Sequence, residues 1–87
     1  MILCQCPCCD YFTLEQGCDY EICPVCFWED DYFGFEAPDE PSGANHGLTL
    51  REARNNFIQY GVCALEFKDK VLQVSEREGF RYELRAI

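Results

Sequence analysis

The stretch CPCCDYFTLEQGCDYEICPVC, residues 6–26, contains two copies of the pattern Cys-Pro-any-Cys, separated by thirteen residues. A two-residue gap allows both sulfurs of a tight turn to converge on one tetrahedral ion, and proline at the second position fixes φ for such a turn. Two such pairs are the usual signature of a four-cysteine zinc site. The pattern predicts that one metal ion is bound by Cys6, Cys9, Cys23 and Cys26.

The segment between the two turns predicts how they meet. Residues 11–14 and 19–22 are strand-like and flank a turn that contains Gly17. Such a pattern is typical of a β-hairpin. A hairpin at this place would bring the two turns face to face, which is the arrangement of a zinc ribbon.

We predict one structural Zn²⁺ rather than iron. A chain of 87 residues is too small to rely on its core alone, and structural zinc contributes about 10–16 kcal/mol to folding. The first turn looks somewhat like a rubredoxin turn, but the position after each turn, usually glycine, is Asp10 in one and Phe27 in the other. Phe27 would be an outlier in the left-handed conformation that glycine adopts.

The N-terminal residues MILCQCPCC predict a cytoplasmic protein. They show no basic n-region, apolar run or small-residue cleavage site, and no stretch of the chain approaches the ~20 apolar residues of a membrane span. In a reducing compartment, dense cysteines more often bind metal or act in redox catalysis than form disulfides. An extracellular, disulfide-bonded protein is the alternative.

Four cysteines remain outside the predicted metal site. Cys8 lies inside the first turn, and Cys4 with Cys8 would form a CX3C alternative that leaves the proline unused. Cys18 and Cys63 are most simply small apolar residues. A redox pair of Cys4 with Cys8 or Cys18 is a further alternative, although their acidic surroundings disfavour a reactive thiol.

The charge distribution disfavours direct binding to nucleic acid. The formal net charge is −9, and all seven basic residues lie from Arg51 onward, so the cysteine-rich half has none. Nucleic-acid binding requires a basic surface. The single histidine, His46, lacks the partners of a catalytic base, and we assign it a loop or capping role.

Acidic and aromatic residues follow the second turn, and two interpretations of them are open. The acidic segment from Glu29 to Glu40 can be a solvated loop that keeps the protein soluble. It can also be a surface that binds a basic protein, since acidic rims steer association and aromatic anchors supply binding energy. The residues predicted for this surface are Trp28, Glu29, Asp30, Asp31, Asp39 and Glu40.

One helix and an ambiguous tail complete the chain. Thr49 and Glu52 form a capping box, Leu50, Ala53, Phe57 and Tyr60 recur at helical spacing, and Gly61 suits a left-handed C-cap. After Cys63, residues 65–78 are rich in helix formers, but residues 71–74 and 80–84 alternate like strands. We predict a C-terminal hairpin.

Three segments together resemble the bacterial cysteine-rich CPCC family: CPCC at 6–9, EICPVCFWEDD at 21–31 and GLTLREARNNFIQYG at 47–61. The resemblance extends from Cys6 to about Cys63. It implies a metal-binding module of bacteria and their mobile elements, with Cys6, Cys9, Cys23 and Cys26 as ligands and no known activity.

The sequence therefore predicts a single α+β domain over residues 1–87, in which a four-cysteine zinc ribbon packs against the helix. For function, it indicates a non-enzymatic, zinc-stabilised protein whose acidic surface binds a basic protein, as an inhibitor or immunity protein of a toxin or nuclease would. One alternative is a zinc-ribbon module in a nucleic-acid or transcription-associated assembly. The other is a thiol redox protein.

Overall fold

The computed structural model describes residues 3–15, 20–31 and 34–86. Within these ranges two short strands, β1 (Cys4–Gln5) and β2 (Phe12–Leu14), precede one α-helix, α1 (Leu50–Tyr60). The other regular elements of the described residues are four 3-10 helices: Gly34–Glu36, Gly43–Asn45, Leu65–Lys70 and Val74–Gly79. The predicted α+β class is confirmed.

Each Cys-Pro-any-Cys turn is closed by the residues that flank it. Strand β1 pairs antiparallel with β2, in the register Cys4 with Leu14 and Gln5 with Phe12, and encloses the first turn. The second turn is enclosed by an antiparallel bridge between Ile22 and Glu29.

The predicted hairpin between the turns is therefore wrong. Residues 12–14 form a strand as expected, but in the described part of the chain its partner is β1, and Ile22 pairs instead with Glu29. The predicted turn residue Gly17 and Asp19 lie outside the described residues. Glu15 contacts the segment before the second turn through its backbone N–H, which donates to both carboxylate oxygens of Glu21, at 2.8 and 2.9 Å.

The two turns share one backbone conformation. The N–H of Asp10 donates to the carbonyl of Cys6 at 3.0 Å, and the N–H of Phe27 donates to the carbonyl of Cys23 at 2.9 Å. Both residues are left-handed, with φ of 68° for Asp10 and 69° for Phe27. The expectation that Phe27 does not adopt the left-handed conformation of a rubredoxin-type turn is wrong. The presence of Phe27 at this position is therefore no argument against iron.

Helix α1 begins and ends where the sequence predicts. The Thr49 side chain accepts the Glu52 N–H, the Glu52 carboxylate accepts the Thr49 N–H, and both hydrogen bonds measure 3.0 Å. Gly61 ends the helix with φ of 76°, and its N–H donates to the carbonyl of Phe57. The capping box and the glycine cap satisfy backbone groups that a helix terminus leaves unpaired.

The predicted C-terminal hairpin is also wrong. Val74 begins a 3-10 helix instead of ending a strand, so the chain from 65 to 79 follows its helix formers and not its alternation. Tyr82 pairs with Tyr11 in an isolated antiparallel bridge, and the Phe12 N–H donates to the carbonyl of Arg81. The apolar alternation in residues 80–84 thus reflects extended chain against the first turn.

The core surrounds the four cysteines. Trp28, Leu14 and Val25 are at most 1% exposed, and Leu50 and Ala53 of α1 belong to the same buried cluster. The Tyr11 ring meets Phe57 of α1 edge to face, with ring centroids 6.4 Å apart. Helix and cysteine turns therefore share one core. No helix among the described residues is long and apolar enough to span a membrane.

Candidate metal centre

The sulfurs of Cys6, Cys9, Cys23 and Cys26 all lie within 4.8 Å of one another. The Cys6 and Cys26 sulfurs are 3.6 Å apart, and those of Cys9 and Cys23 are 3.7 Å apart. A Zn–S distance of about 2.3 Å implies sulfurs about 3.8 Å apart at the corners of a tetrahedron. The measured separations fit one four-coordinate ion, and these are the four cysteines that the sequence predicts.

Polar hydrogens surround the cluster. Cys6, Cys23 and Cys26 are fully buried and Cys9 nearly so. The Val25 N–H points at the Cys23 sulfur at 3.4 Å, and the Trp28 N–H points at the Cys26 sulfur at 3.5 Å. The hydroxyl of Thr13, from β2, lies 3.0 Å from the Cys23 sulfur. Donors of this kind stabilise thiolate ligands and fix their orientation.

The buried thiols influence each other's ionisation. Burial raises the pKa of Cys6, Cys9 and Cys26 well above that of an ordinary thiol. Hydrogen bonds from Cys26, Cys6 and Cys9 lower the pKa of Cys23. Four thiolates cannot be held together in a buried site without a compensating cation, since burial disfavours charge and like charges repel. A divalent ion supplies that compensation and displaces the protons.

A buried ionic cluster that the sequence does not predict adjoins the first turn. The Asp10 carboxylate, 1% exposed, accepts hydrogen bonds from the guanidinium groups of Arg54, at 2.8 and 2.9 Å, and of Arg85, at 2.9 Å. Burial alone would raise the pKa of Asp10, but the arginine hydrogen bonds outweigh it and the pKa is lowered. Both guanidinium groups also lie over the ring of Phe35.

The two arginines also hold the backbone of the first turn. Arg54 donates to the carbonyl of Pro7 at 2.6 Å, and Arg85 donates to the carbonyl of Cys6 at 3.0 Å. A divalent ion with four thiolates carries a net charge of about −2. Arg54, Arg85 and Asp10 together carry one net positive charge beside the turn, which would offset part of that charge. The long separation of Arg54 and Arg85 from Asp10 in the chain left no local signal for this contact.

The other cysteines do not join the four. Cys8 and Cys63 are buried and Cys4 is half-buried, whereas Cys18 lies outside the described residues. Burial is the main cause that raises the pKa of Cys63 to about 12, so its thiol stays protonated at neutral pH. A protonated, buried thiol is a poor nucleophile.

Half of the predicted partner surface is inside the protein. Trp28 is 1% exposed, Asp30 3% and Asp31 7%, so none of them is available to anchor a partner on the folded domain. Trp28 lies two residues after Cys26, and its carbonyl accepts the Cys23 N–H at 2.9 Å, which holds this residue against the buried second turn. The structure corrects the predicted surface at these three residues.

The other predicted surface residues lie at or near the surface. Asp39 and Glu40 are exposed, and Asp39 forms an ion pair with Arg51 at 2.7 Å. Glu29 is half-buried, and both its backbone N–H and its carbonyl are bonded to the Asn45 side chain at 2.8 Å. His46 is exposed in a left-handed conformation after the 3-10 helix Gly43–Asn45, in keeping with a loop role.

The sequence model of one family, described as cysteine-rich CPCC, matches residues 4–78. The chain belongs to the cysteine-rich CPCC family. The match includes all four clustered cysteines and α1, and it extends beyond Cys63, where the sequence resemblance was expected to end. No curated protein and no solved structure matches the chain.

Membership of the CPCC family and the sulfur cluster indicate the same role for the cysteine-rich half. The family's defining CPCC element supplies two of the four convergent sulfurs, from Cys6 and Cys9. The other two come from the matched segment around Cys23 and Cys26. This CPCC protein carries a four-cysteine site suited to a metal ion.

Proposed function

We propose that this CPCC protein binds one structural Zn²⁺ through Cys6, Cys9, Cys23 and Cys26, and that the folded state requires the ion. The observation that carries the proposal is the convergence of the four buried sulfurs within 4.8 Å. Zn²⁺ accepts four thiolates in a closed tetrahedral site, with no position open to substrate. The role of such an ion is to hold the fold.

The zinc-ribbon description rests on the two turns. Each is closed by its own antiparallel pairing, Cys4–Gln5 with Phe12–Leu14 in one case and Ile22 with Glu29 in the other. Two such turns that face each other across four sulfurs support a ribbon-like site in which the ion joins two small hairpins. The ion would then replace contacts that so small a core lacks.

The ion's identity is tested on the intact chain, expressed in medium that contains both zinc and iron and purified without metal affinity steps. We expect one equivalent of zinc by elemental analysis and no visible absorption. One equivalent of iron with a visible thiolate charge-transfer band would show that the ion is iron and not zinc. A metal-free protein with the same thermal stability as the metal-loaded protein would refute the structural role of the metal.

We further propose that the protein is a non-enzymatic binding protein that engages a basic protein partner, as an inhibitor or immunity protein would. The net charge of −9 and the exposed carboxylates of Asp39 and Glu40 support this. With Trp28, Asp30 and Asp31 buried, the binding surface is reduced to the exposed acids of residues 36–40 and the edge of Glu29.

The partner proposal is tested with purified products of the genes adjacent to this one, by calorimetric titration of the zinc-loaded chain. We expect a basic partner to bind, and the double variant Glu36→Lys and Glu40→Lys to weaken binding about tenfold or more through charge repulsion. The matched control is Glu66→Lys with Glu78→Lys, which reverses two exposed acids elsewhere. Equal binding by both variants would refute the acidic surface.

Two assays on the same purified protein test the two alternative functions. A nucleic-acid module would be retained on DNA in a strongly salt-dependent manner. A thiol redox protein would reduce a model disulfide, and the loss of that activity in Cys4→Ser or Cys8→Ser would assign it. The burial of Cys8 and the raised pKa of Cys63 both argue against a reactive thiol or a redox pair at these residues.

A further inference from the structure

A groove of about 220 Å³ lies between helix α1 and the C-terminal segment. One side is a stripe of α1 at helical spacing, formed by Arg51, Arg54, Asn55 and Ile58. The other side is the extended chain of Leu84, Arg85 and Ala86. Residues at i, i+3, i+4 and i+7 share one helix face, so this stripe is a continuous surface.

The groove differs in charge from the rest of the molecule. Three of the seven basic residues in the chain line it, and among the described residues that line it none is acidic, although the chain has 16 Asp and Glu. Ile58 and Leu84 add apolar surface that faces water, with 80% and 71% of their surface exposed. Guanidinium and aliphatic groups thus occur together in one concave site.

The arginines of the groove are held in place before any partner binds. Arg54 and Arg85 are fixed by the buried carboxylate of Asp10 and by the Phe35 ring. The Arg85 side chain lines the groove and is one-third exposed, whereas Arg54 is 11% exposed and both its terminal nitrogens already donate to Asp10 and to backbone carbonyls. Arg85 and Arg51 are therefore the arginines of the groove that a ligand can reach. A guanidinium group whose orientation is already fixed loses little entropy when it binds a carboxylate.

Arg51 shows the chemistry that the groove favours. At the rim it holds the Asp39 carboxylate through two hydrogen bonds, from Nε at 2.7 Å and from a terminal nitrogen at 3.2 Å. This bidentate arrangement is the usual mode of arginine–carboxylate recognition. Both side chains are substantially exposed, 44% for Arg51 and 70% for Asp39, so a competing carboxylate can reach the site.

We propose that this groove binds a peptide segment that carries a carboxylate beside a branched aliphatic side chain. Charge complementarity selects the carboxylate, and the exposed Ile58 and Leu84 select the aliphatic group. This partner is acidic, so it is distinct from the basic partner of the acidic loop.

The probe is a dye-labelled seven-residue peptide of alternating glutamate and leucine, titrated by fluorescence anisotropy against the intact zinc-loaded chain. We expect saturable binding that weakens with added salt, as Coulomb attraction requires. A peptide with glutamine for glutamate should bind roughly fivefold more weakly, and one with serine for leucine roughly tenfold more weakly. Equal binding of the three peptides would overturn the proposal.

Four exposed positions give matched variants that circular dichroism can check for folding. Ile58→Ser should weaken binding of the probe about tenfold, whereas Val74→Ser, equally exposed at another place, should not. Arg51→Gln should weaken it about threefold to fivefold, whereas Arg81→Gln, exposed and outside the groove, should not. If the groove variants bind as the controls do, the groove is not the site.

Asp39→Asn provides a test with the opposite sign. The amide releases Arg51 from its bound carboxylate, so binding of the acidic probe should strengthen about twofold to fivefold. An unchanged or weaker affinity would contradict competition at the rim. A single-stranded oligonucleotide that displaces the probe more effectively than the unlabelled peptide, or a dimer in sedimentation that dissociates in Ile58→Ser, would assign the groove to another occupant and overturn the proposal.

Discussion

Asp10 and Arg85 lie 75 positions apart in the chain, yet the Asp10 carboxylate accepts hydrogen bonds at 2.9 Å from both the backbone N–H and Nε of Arg85. The same carboxylate binds Arg54 of helix α1. One side chain, directly after Cys9 of the first turn, therefore connects the metal centre, the helix and the C-terminal segment.

Replacement of Asp10 tests this connection. Asp10→Asn leaves two partly buried guanidinium groups without their counter-charge, and we expect a loss of about 3 kcal/mol in the free energy of unfolding of the zinc-loaded protein. The measurement is urea unfolding followed by circular dichroism. The control, Asp39→Asn, removes an exposed carboxylate and should cost under about 0.5 kcal/mol. A loss no larger than that of the control would show that the cluster is dispensable.

Substitution of single cysteines tests the ligand set. Cys23→Ser removes the sulfur that accepts the Val25 N–H and is hydrogen-bonded to the Thr13 hydroxyl, so the purified protein should contain less than half an equivalent of zinc and lose its thermal unfolding transition. Cys4→Ser changes a half-buried cysteine outside the cluster and should retain one equivalent. Metal loss in Cys4→Ser with retention in Cys23→Ser would reverse the assignment.

The metal centre could be predicted from sequence because its information is local. Spacing and proline position within residues 6–9 and 23–26 are sufficient to identify four convergent sulfurs. The ends of α1 could be predicted for the same reason, since Thr49, Glu52 and Gly61 satisfy backbone groups within one turn of the helix.

What the sequence did not predict depends on distant contacts. Tyr82 pairs with Tyr11, which is far from it in the chain, and this pairing keeps residues 80–84 extended. Their alternation with a period of two therefore indicates extended chain but not a local hairpin. The acidic residues 30 and 31 were assigned to the surface from their charge, but their position after a buried turn and Trp28 takes them inside. Charge predicts exposure on average, and backbone connection to a core residue overrides it.

The conformation of Phe27 allows a test of backbone strain. At φ of 69° glycine is unstrained, whereas alanine carries a penalty of about 1 kcal/mol, so Phe27→Gly should be more stable than Phe27→Ala by about that amount. Both variants lose the ring that packs on Phe67, so this loss cancels in the comparison. At exposed Gln59 in α1 the order should reverse, with alanine more stable than glycine by about 1 kcal/mol. The same order at both sites would contradict the left-handed conformation.

Arg77 tests how the C-terminal 3-10 helices are attached to α1. Its guanidinium group is buried, donates to the carbonyls of Gly61 at 2.8 Å and Leu72 at 3.1 Å, and lies 5.5 Å from the centre of the Phe57 ring. Arg77→Ala leaves two carbonyls without this donor and opens a void, and we expect a loss of about 2–3 kcal/mol in the free energy of unfolding. Arg77→Lys retains the charge but not the planar fork that reaches two acceptors, so most of the loss should persist. Lys68→Ala, at an exposed position of the preceding 3-10 helix, is the control and should change stability by under about 0.5 kcal/mol. If Arg77→Lys restored full stability, the positive charge over the Phe57 ring, and not the two hydrogen bonds, would be what holds this segment against the helix.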